Sequence, residues 1–233
     1  MFSEAEGRTG EGMGPDGSRA AKKNGPVLIV ALDVPDAAAA LKLADQVSAL
    51  PVWGKVGLEL FTAEGPPLVR ALAQNNLPVF LDLKFHDIPN TVFGAISSAC
   101  SLGVHMTTVH LSGGEAMCRA AVEARDEALA LSGKNVASVA LRESRDSVKP
   151  LLMGITVLTS QGGDSAEIEA LVRERALLAK RCGLDGVVCS GREAGMGKEV
   201  CGKDFPCFCP GLRFADAGQG ASDDQAGVGT PAE

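Results

Sequence analysis

Leu81-Asp82-Leu83-Lys84-Phe85-His86-Asp87-Ile88-Pro89-Asn90-Thr91 is the stretch on which the reading of this chain turns. It continues the apolar run Pro78-Val79-Phe80-Leu81, which marks a buried strand. Strand side chains alternate faces, so Asp82 and Lys84 share one face while Leu81, Leu83 and Phe85 share the other. Two opposite charges on one face of a buried strand are costly in a plain core. Asp-Ile-Pro-Asn breaks the strand at Asp87, and Pro89 suits the first turn of a helix. The strand thus delivers Asp82, Lys84 and Asp87 to its C-terminal end. Alone, Asp-x-Lys reads as a structural ion pair; its neighbours shift that balance.

The same handover from strand to helix recurs along the chain. Val27 to Leu32 is a continuous apolar run, expected to be a strand buried on both faces and ending in Asp33. Asp36 is placed to cap an Ala-rich helix from Ala37 to Ala49. Val52 to Gly57 is a strand carrying Lys55, followed by a helix from about Leu60 to Gln74. After the third strand come a helix over about Asn90 to Ser101, a strand from Val104 to His110, and a helix opened by Ser112-Gly113-Gly114 that runs to about Leu131. A polar segment, Ser132 to Lys149, precedes a fifth strand, Leu151 to Leu158, which ends in Thr159-Ser160. A helix from about Ala166 to Cys182, a strand from Gly186 to Cys189, a short helix from Glu193 to Val200 and a seventh strand from Phe205 to Pro210 complete the pattern, leading to Arg213. The tail from Phe214 reads as loop until Thr230-Pro231, a helix start.

Strict strand and helix alternation implies an α/β fold with a parallel sheet. Asp33, Lys55, Asp82, Lys84, Thr159 and Arg213 all fall near strand C-terminal ends. Residues spread over several strand ends suit a (β/α)₈ TIM barrel better than the single crevice of an open sheet. Seven strands are countable, so the eighth strand and the last helices are expected to be absent. Residues 1–25, rich in Gly, Glu, Ser, Arg and Lys, are expected to be a disordered leader, and 26–233 to be the barrel domain.

Of 233 residues 45% are hydrophobic, enough for a sizeable core, and the formal net charge is −7. No basic stripe is present, which argues against nucleic acid as a partner. No apolar run approaches the ~18 residues of a membrane span, and no secretory signal pattern opens the chain. The seven cysteines are irregularly spaced, and Cys207-Phe208-Cys209 lacks zinc-knuckle spacing, so free buried thiols in a reducing, cytoplasmic compartment are expected. His86 and His110 have no partner at ligand spacing, and packing or hydrogen bonding is expected of His110.

Asp82 to Thr91 closely resembles the signature of the orotidine 5′-phosphate decarboxylase family, bacterial type. Ala31-Leu32-Asp33, Lys55-Val56-Gly57, Thr156-Val157-Leu158-Thr159-Ser160, Gly183 to Ser190 and Pro210-Gly211-Leu212-Arg213 match in the family's order. The resemblance implies decarboxylation of orotidine 5′-monophosphate (OMP) to UMP and CO₂ in pyrimidine synthesis, with no cofactor and no metal. It implies that Lys84 protonates C6, that Lys55, Asp82, Lys84 and Asp87 form a charged catalytic network, and that Asp87 reaches into the neighbouring subunit of a homodimer. It also implies substrate binding by Asp33, Lys55, Asp82, Ile88, Thr91 and Thr159, a phosphate grip by Arg213, and a cover by Gln225, five residues before Thr230.

Two departures qualify that implication. Phe214 stands where the family usually has Pro after Gly-Leu-Arg, and the interval from Arg213 to Gln225 is about three residues longer than usual. The family also continues past Thr-Pro-Ala-Glu into an eighth strand with a further phosphate-binding arginine, so weak or absent activity and poor solubility are expected if this sequence is the whole gene product, and an active complete protein if it is a fragment. Two other readings remain open. One is a related sugar-phosphate decarboxylase or aldolase, which usually needs magnesium and an acidic residue on strand two; Lys55 there disfavours it. The other is a non-catalytic remnant that still binds nucleotides.

Overall fold

The computed structural model describes residues 26–134, 149–158 and 165–211. The leader, the polar segment beyond Lys134, the loop after the fifth strand and the tail from Leu212 lie outside the described residues. In chain order the elements are β1 (Leu28–Ala31), α1 (Ala37–Val47), β2 (Val52–Gly57), α2 (Leu58–Gln74), β3 (Val79–Phe85), α3 (Pro89–Ser101) and β4 (Met106–His110). They continue with a 3₁₀ turn (Leu111–Gly113), α4 (Gly114–Lys134), β5 (Leu151–Ile155), α5 (Ser165–Cys182), β6 (Gly186–Val188), α6 (Gly191–Cys201) and β7 (Cys207–Phe208). The strands form one sheet in the order β1-β2-β3-β4-β5-β6-β7, and every neighbouring pair is parallel.

The sheet curls as a barrel wall does. Phe80 of β3 and Phe208 of β7 pack edge to face with ring centroids 5.1 Å apart. In a flat sheet, strands four steps apart would stand about 19 Å from each other. The two rings meet because the sheet closes around them, and Met106, Met153, Ile155 and Val188 complete this inner cluster. Residues of opposite parity, such as Val79, Leu81, Val109, Leu152 and Val187, point outward and pack under the helices in two further clusters. Among the described residues no eighth strand joins β7 to β1.

That open side corrects the reading of strand one. A strand buried on both faces was expected, yet Leu28 is 58% exposed and only Ile29 and Val30 are half-buried. Apolar composition makes a strand buriable; a neighbour on each side makes it buried, and β1 pairs only with β2 among the described residues. A second difference lies in α2, which is kinked at Gly65 (φ 63°) ahead of Pro66 and Pro67. The paired prolines remove two helical donors, so the break has a local cause.

Other signals hold. The Asp36 carboxylate accepts from Ala39 N at 2.8 Å, and Pro89 opens α3 at its first turn. Ser190 caps α6, with the Glu193 carboxylate accepting from Ser190 N at 2.8 Å. All seven cysteines are free thiols; Cys118, Cys182, Cys189 and Cys201 are buried, and Cys100, Cys207 and Cys209 are half-buried. Burial pushes the Cys118 thiol up to about 12. A buried Arg125 on α4 pairs with Asp126 and with Asp185, whose carboxylate also accepts from Leu152 N at 2.8 Å. Asp185, in the turn before β6, is thereby tied to the start of β5 and to α4.

Candidate active site

Asp82 shares the parity of Phe80 and faces the barrel interior near the C-terminal end of β3. Its carboxylate is buried, with 10% of the side chain exposed, and Oδ2 accepts from Lys84 Nζ at 2.8 Å. Lys84 keeps 36% of its side chain exposed, so the ammonium is held by a buried anion and is still reached by solvent.

The backbone beneath this pair is irregular. Lys84 has φ 49°, and Asn76 is the other non-glycine with positive φ among the described residues. An L-residue there costs about 1 kcal/mol or more. The register of β3 on β4 shifts between Leu81 and Phe85, a bulge that re-aims the strand end. Simple alternation had placed Asp82 and Lys84 on one face; they do meet, but through a turn of the chain at Lys84.

A second pair stands beside the first. Lys55 Nζ lies 3.3 Å from Asp33 Oδ1, with Lys55 largely buried and Asp33 exposed. A Cβ placed on Gly57 would lie 3.5 Å from Lys55 Nζ and 3.7 Å from Asp33 Oδ1, so this pair sits over Gly57. Gly57 is the register partner of Asp82, which makes the two ion pairs neighbours on adjoining strands.

Asp87, Ile88 and Thr91 lie at the turn into α3 and are exposed. Asp87 Oδ1 accepts from Ile88 N at 2.6 Å, and among the described residues no Lys or Arg pairs with it. Within one chain the four expected network members therefore stand as Asp82–Lys84, Lys55 with Asp33, and a separate Asp87. A pocket of about 400 Å³ opens on the helix side of β3, lined by Leu58, Phe61, Leu83 and Val92 and edged by Lys84, Asp87 and Thr91. Thr159, Arg213 and Gln225 lie outside the described residues.

His86 stacks on His110 with centroids 5.1 Å apart. Burial, and then the charges of His86, Arg175 and Lys84, hold His110 below the ordinary histidine value. Its ring contacts Ser112 at the 3₁₀ turn, the hydrogen-bonding role expected of it. Among the described residues no group of three or more His, Cys, Asp or Glu is placed to hold a metal ion. No helix among them is long and apolar enough to cross a membrane.

Sequence reasoning missed Thr108. This fully buried residue of β4 donates from Oγ1 to Asp82 Oδ1 at 2.9 Å and accepts from Lys84 N at 2.9 Å. The available signal was the pair Thr107-Thr108, two hydroxyls inside an apolar strand adjoining the charged one.

Curled parallel strands with lysine–carboxylate pairs at their C-terminal ends have the layout of a barrel-type enzyme, in which site residues gather at that end of the strands. The comparisons narrow that class. A sequence model described as Orotidine 5′-phosphate decarboxylase / HUMPS family matches residues 26–233. The chain is 46% identical to an orotidine 5′-phosphate decarboxylase of Nitratidesulfovibrio vulgaris, covering 88% of this chain and 84% of that one. It is 47% identical to one of Alkalilimnicola ehrlichii, covering 88% and 82%. The crystal structure of orotidine 5′-phosphate decarboxylase from Lactobacillus acidophilus matches with a TM-score of 0.65 at 33% identity, covering 80% of this chain and 81% of that one. The chain belongs to the orotidine 5′-phosphate decarboxylase / HUMPS family.

Proposed function

We propose that this protein is an orotidine 5′-phosphate decarboxylase that converts OMP to UMP and CO₂ in the cytoplasm, as a homodimer with shared sites. The observation that carries the reading is the Lys84 Nζ–Asp82 Oδ2 pair at 2.8 Å at the mouth of the barrel. The strong identity to named decarboxylases supports the substrate.

The chemistry asked of the site is simple to balance. The C6–carboxylate bond breaks, CO₂ leaves, and the bonding electron pair stays on C6. The Lys84 ammonium faces that developing charge and stabilises it, then gives a proton to form the C6–H bond. The neutral amine regains a proton from solvent, to which Lys84 is open. Asp82 holds the lysine aimed through the 2.8 Å contact. Asp33 and Lys55, paired beside Gly57, are proposed from the family resemblance for the hydroxyls of a ribose. Thr159, Arg213 and Gln225 are proposed, from the family resemblance, for the pyrimidine and phosphate end. Ile88 and Thr91, beside Asp87, are proposed to complete the site across the dimer. No cofactor or metal is invoked in this route.

The test is UMP formation from OMP by the purified chain, followed by absorbance. Lys84→Ala is expected to lower kcat on the order of 10³-fold or more, since it removes both the fixed charge and the proton donor. Circular dichroism is expected to stay unchanged. A variant that keeps most of the rate removes Lys84 from the mechanism.

A further inference from the structure

We propose that Thr108 is a positioning residue for this reaction: its buried hydroxyl fixes the carboxylate of Asp82 and, at the same time, the backbone that carries Lys84. The proposal rests on the decarboxylase reading above.

A hydroxyl has one proton to give and two lone pairs to offer. Lys84 N–H can only donate, so at 2.9 Å it takes a lone pair of Thr108 Oγ1. The hydroxyl proton is then directed to Asp82 Oδ1, also at 2.9 Å. Asp82 Oδ2 receives Lys84 Nζ. The contacts close a ring in which the lysine's backbone, the threonine and the aspartate hold one another. Both carboxylate oxygens of Asp82 are engaged, so its plane cannot swing.

The local backbone explains why a hydroxyl is needed there. The register shift between Leu81 and Phe85 takes Lys84 N–H off the regular β3–β4 ladder. A buried N–H without an acceptor is costly, and Thr108 supplies the acceptor from the adjoining strand. Its positive φ leaves Lys84 in a conformation that its surroundings must hold. Thr107 does the matching work before the bulge, donating to Leu81 O at 2.8 Å. Thr108 is β-branched and fully buried, so its χ1 is restricted and its oxygen stays in place. Such a brace acts on rate rather than on affinity, because it sets where the ammonium stands relative to C6.

The experiment compares Thr108→Val, which keeps the shape and removes the hydroxyl, with Thr108→Ser, which keeps the hydroxyl. In the full chain, Thr108→Val is expected to lower kcat about 10²-fold, the scale of a misplacement near 1 Å, with KM for OMP changed far less. Thr108→Ser is expected to regain most of the lost rate. Exchange of the Lys84 amide proton, followed by NMR, is expected to be faster in the valine variant and near the parent rate in the serine variant. Should the valine protein not fold, Thr108→Ala carries the same comparison. Unchanged kcat in the valine variant, or equal loss in valine and serine variants, overturns the proposal. If the parent chain forms no UMP, the decarboxylase reading fails for this chain. Amide exchange then decides alone: acceleration confined to the valine variant sustains the brace, and an unchanged rate overturns it.

Discussion

At the residue scale, the two lysine–aspartate pairs differ in what they contribute. Asp33 is 65% exposed on its side chain and meets Lys55 at 3.3 Å, the geometry of a surface ion pair. Exposed pairs contribute roughly 0–1 kcal/mol, because solvent screens them and ordering two side chains costs entropy. Asp33→Ala is therefore expected to change unfolding free energy by less than about 1 kcal/mol in urea titrations. In the proposed function the same change removes a ribose contact, and kcat/KM is expected to fall on the order of 10²-fold. A residue whose loss spares stability and harms turnover is there for the substrate. The residues Asp33, Lys55, Asp82 and Lys84 were legible in the sequence because charges at the ends of apolar strands need a reason. Thr108 was not, since a buried threonine with a satisfied hydroxyl is ordinary and its two partners depend on a bulge. The bulge was hidden for a related reason: alternation predicts faces for a regular strand and has no term for a residue at φ 49°.

At the element scale, the strands are held in place by contacts that the sequence pattern does not encode. Gly186 starts β6, and a Cβ there would lie 2.4 Å from Pro206 O and 2.7 Å from Met153 Cε. The first of these is backbone, which cannot move aside without disturbing the β6–β7 pair. Gly186→Ala is expected to cost about 2–3 kcal/mol, read as a lower Tm. Arg125 is a second case. Arg125→Leu leaves Asp185, 21% exposed, without its cation, and about 3 kcal/mol of destabilisation is expected. Asp126 provides the pH counterpart. The Arg125 side-chain hydrogen bond holds its carboxyl below the ordinary value. A lowered folded value stabilises above the unfolded value near ~4, and that gain is lost as pH falls through the folded one. Because Asp126 is half exposed, the loss from Asp126→Asn at pH 7 is expected to be under about 1 kcal/mol and to vanish in acid. The helices and strands themselves were legible from caps and apolar runs. The burial of β1 was not, because it depends on which strand stands at its other edge.

At the scale of the whole molecule, one chain presents the proposed chemistry unfinished. Asp87 is exposed and, among the described residues, has no cation partner, although it stands only three residues from Lys84. The pocket beside it is lined by apolar side chains, and Leu58 and Ile88 are 54% and 66% exposed. Apolar exposure next to an unpaired carboxylate is what a shared-site dimer would cover, with Asp87 meeting the lysines of the other subunit. The arrangement has a quantitative consequence. Lys84→Ala and Asp87→Ala homodimers would each lack an intact site. Random mixing of equal amounts gives half hybrids, and each hybrid holds one whole site out of two, so about one quarter of the parent activity is expected. The measurement is OMP turnover after the two variants are mixed under conditions that exchange subunits, with hybrids verified by differently tagged chains. Rescue near that fraction supports Asp87 acting across the interface. Hybrids that form and stay inactive would confine Asp87 to its own chain, and its nearness to Lys84 would then reflect the turn into α3 rather than catalysis.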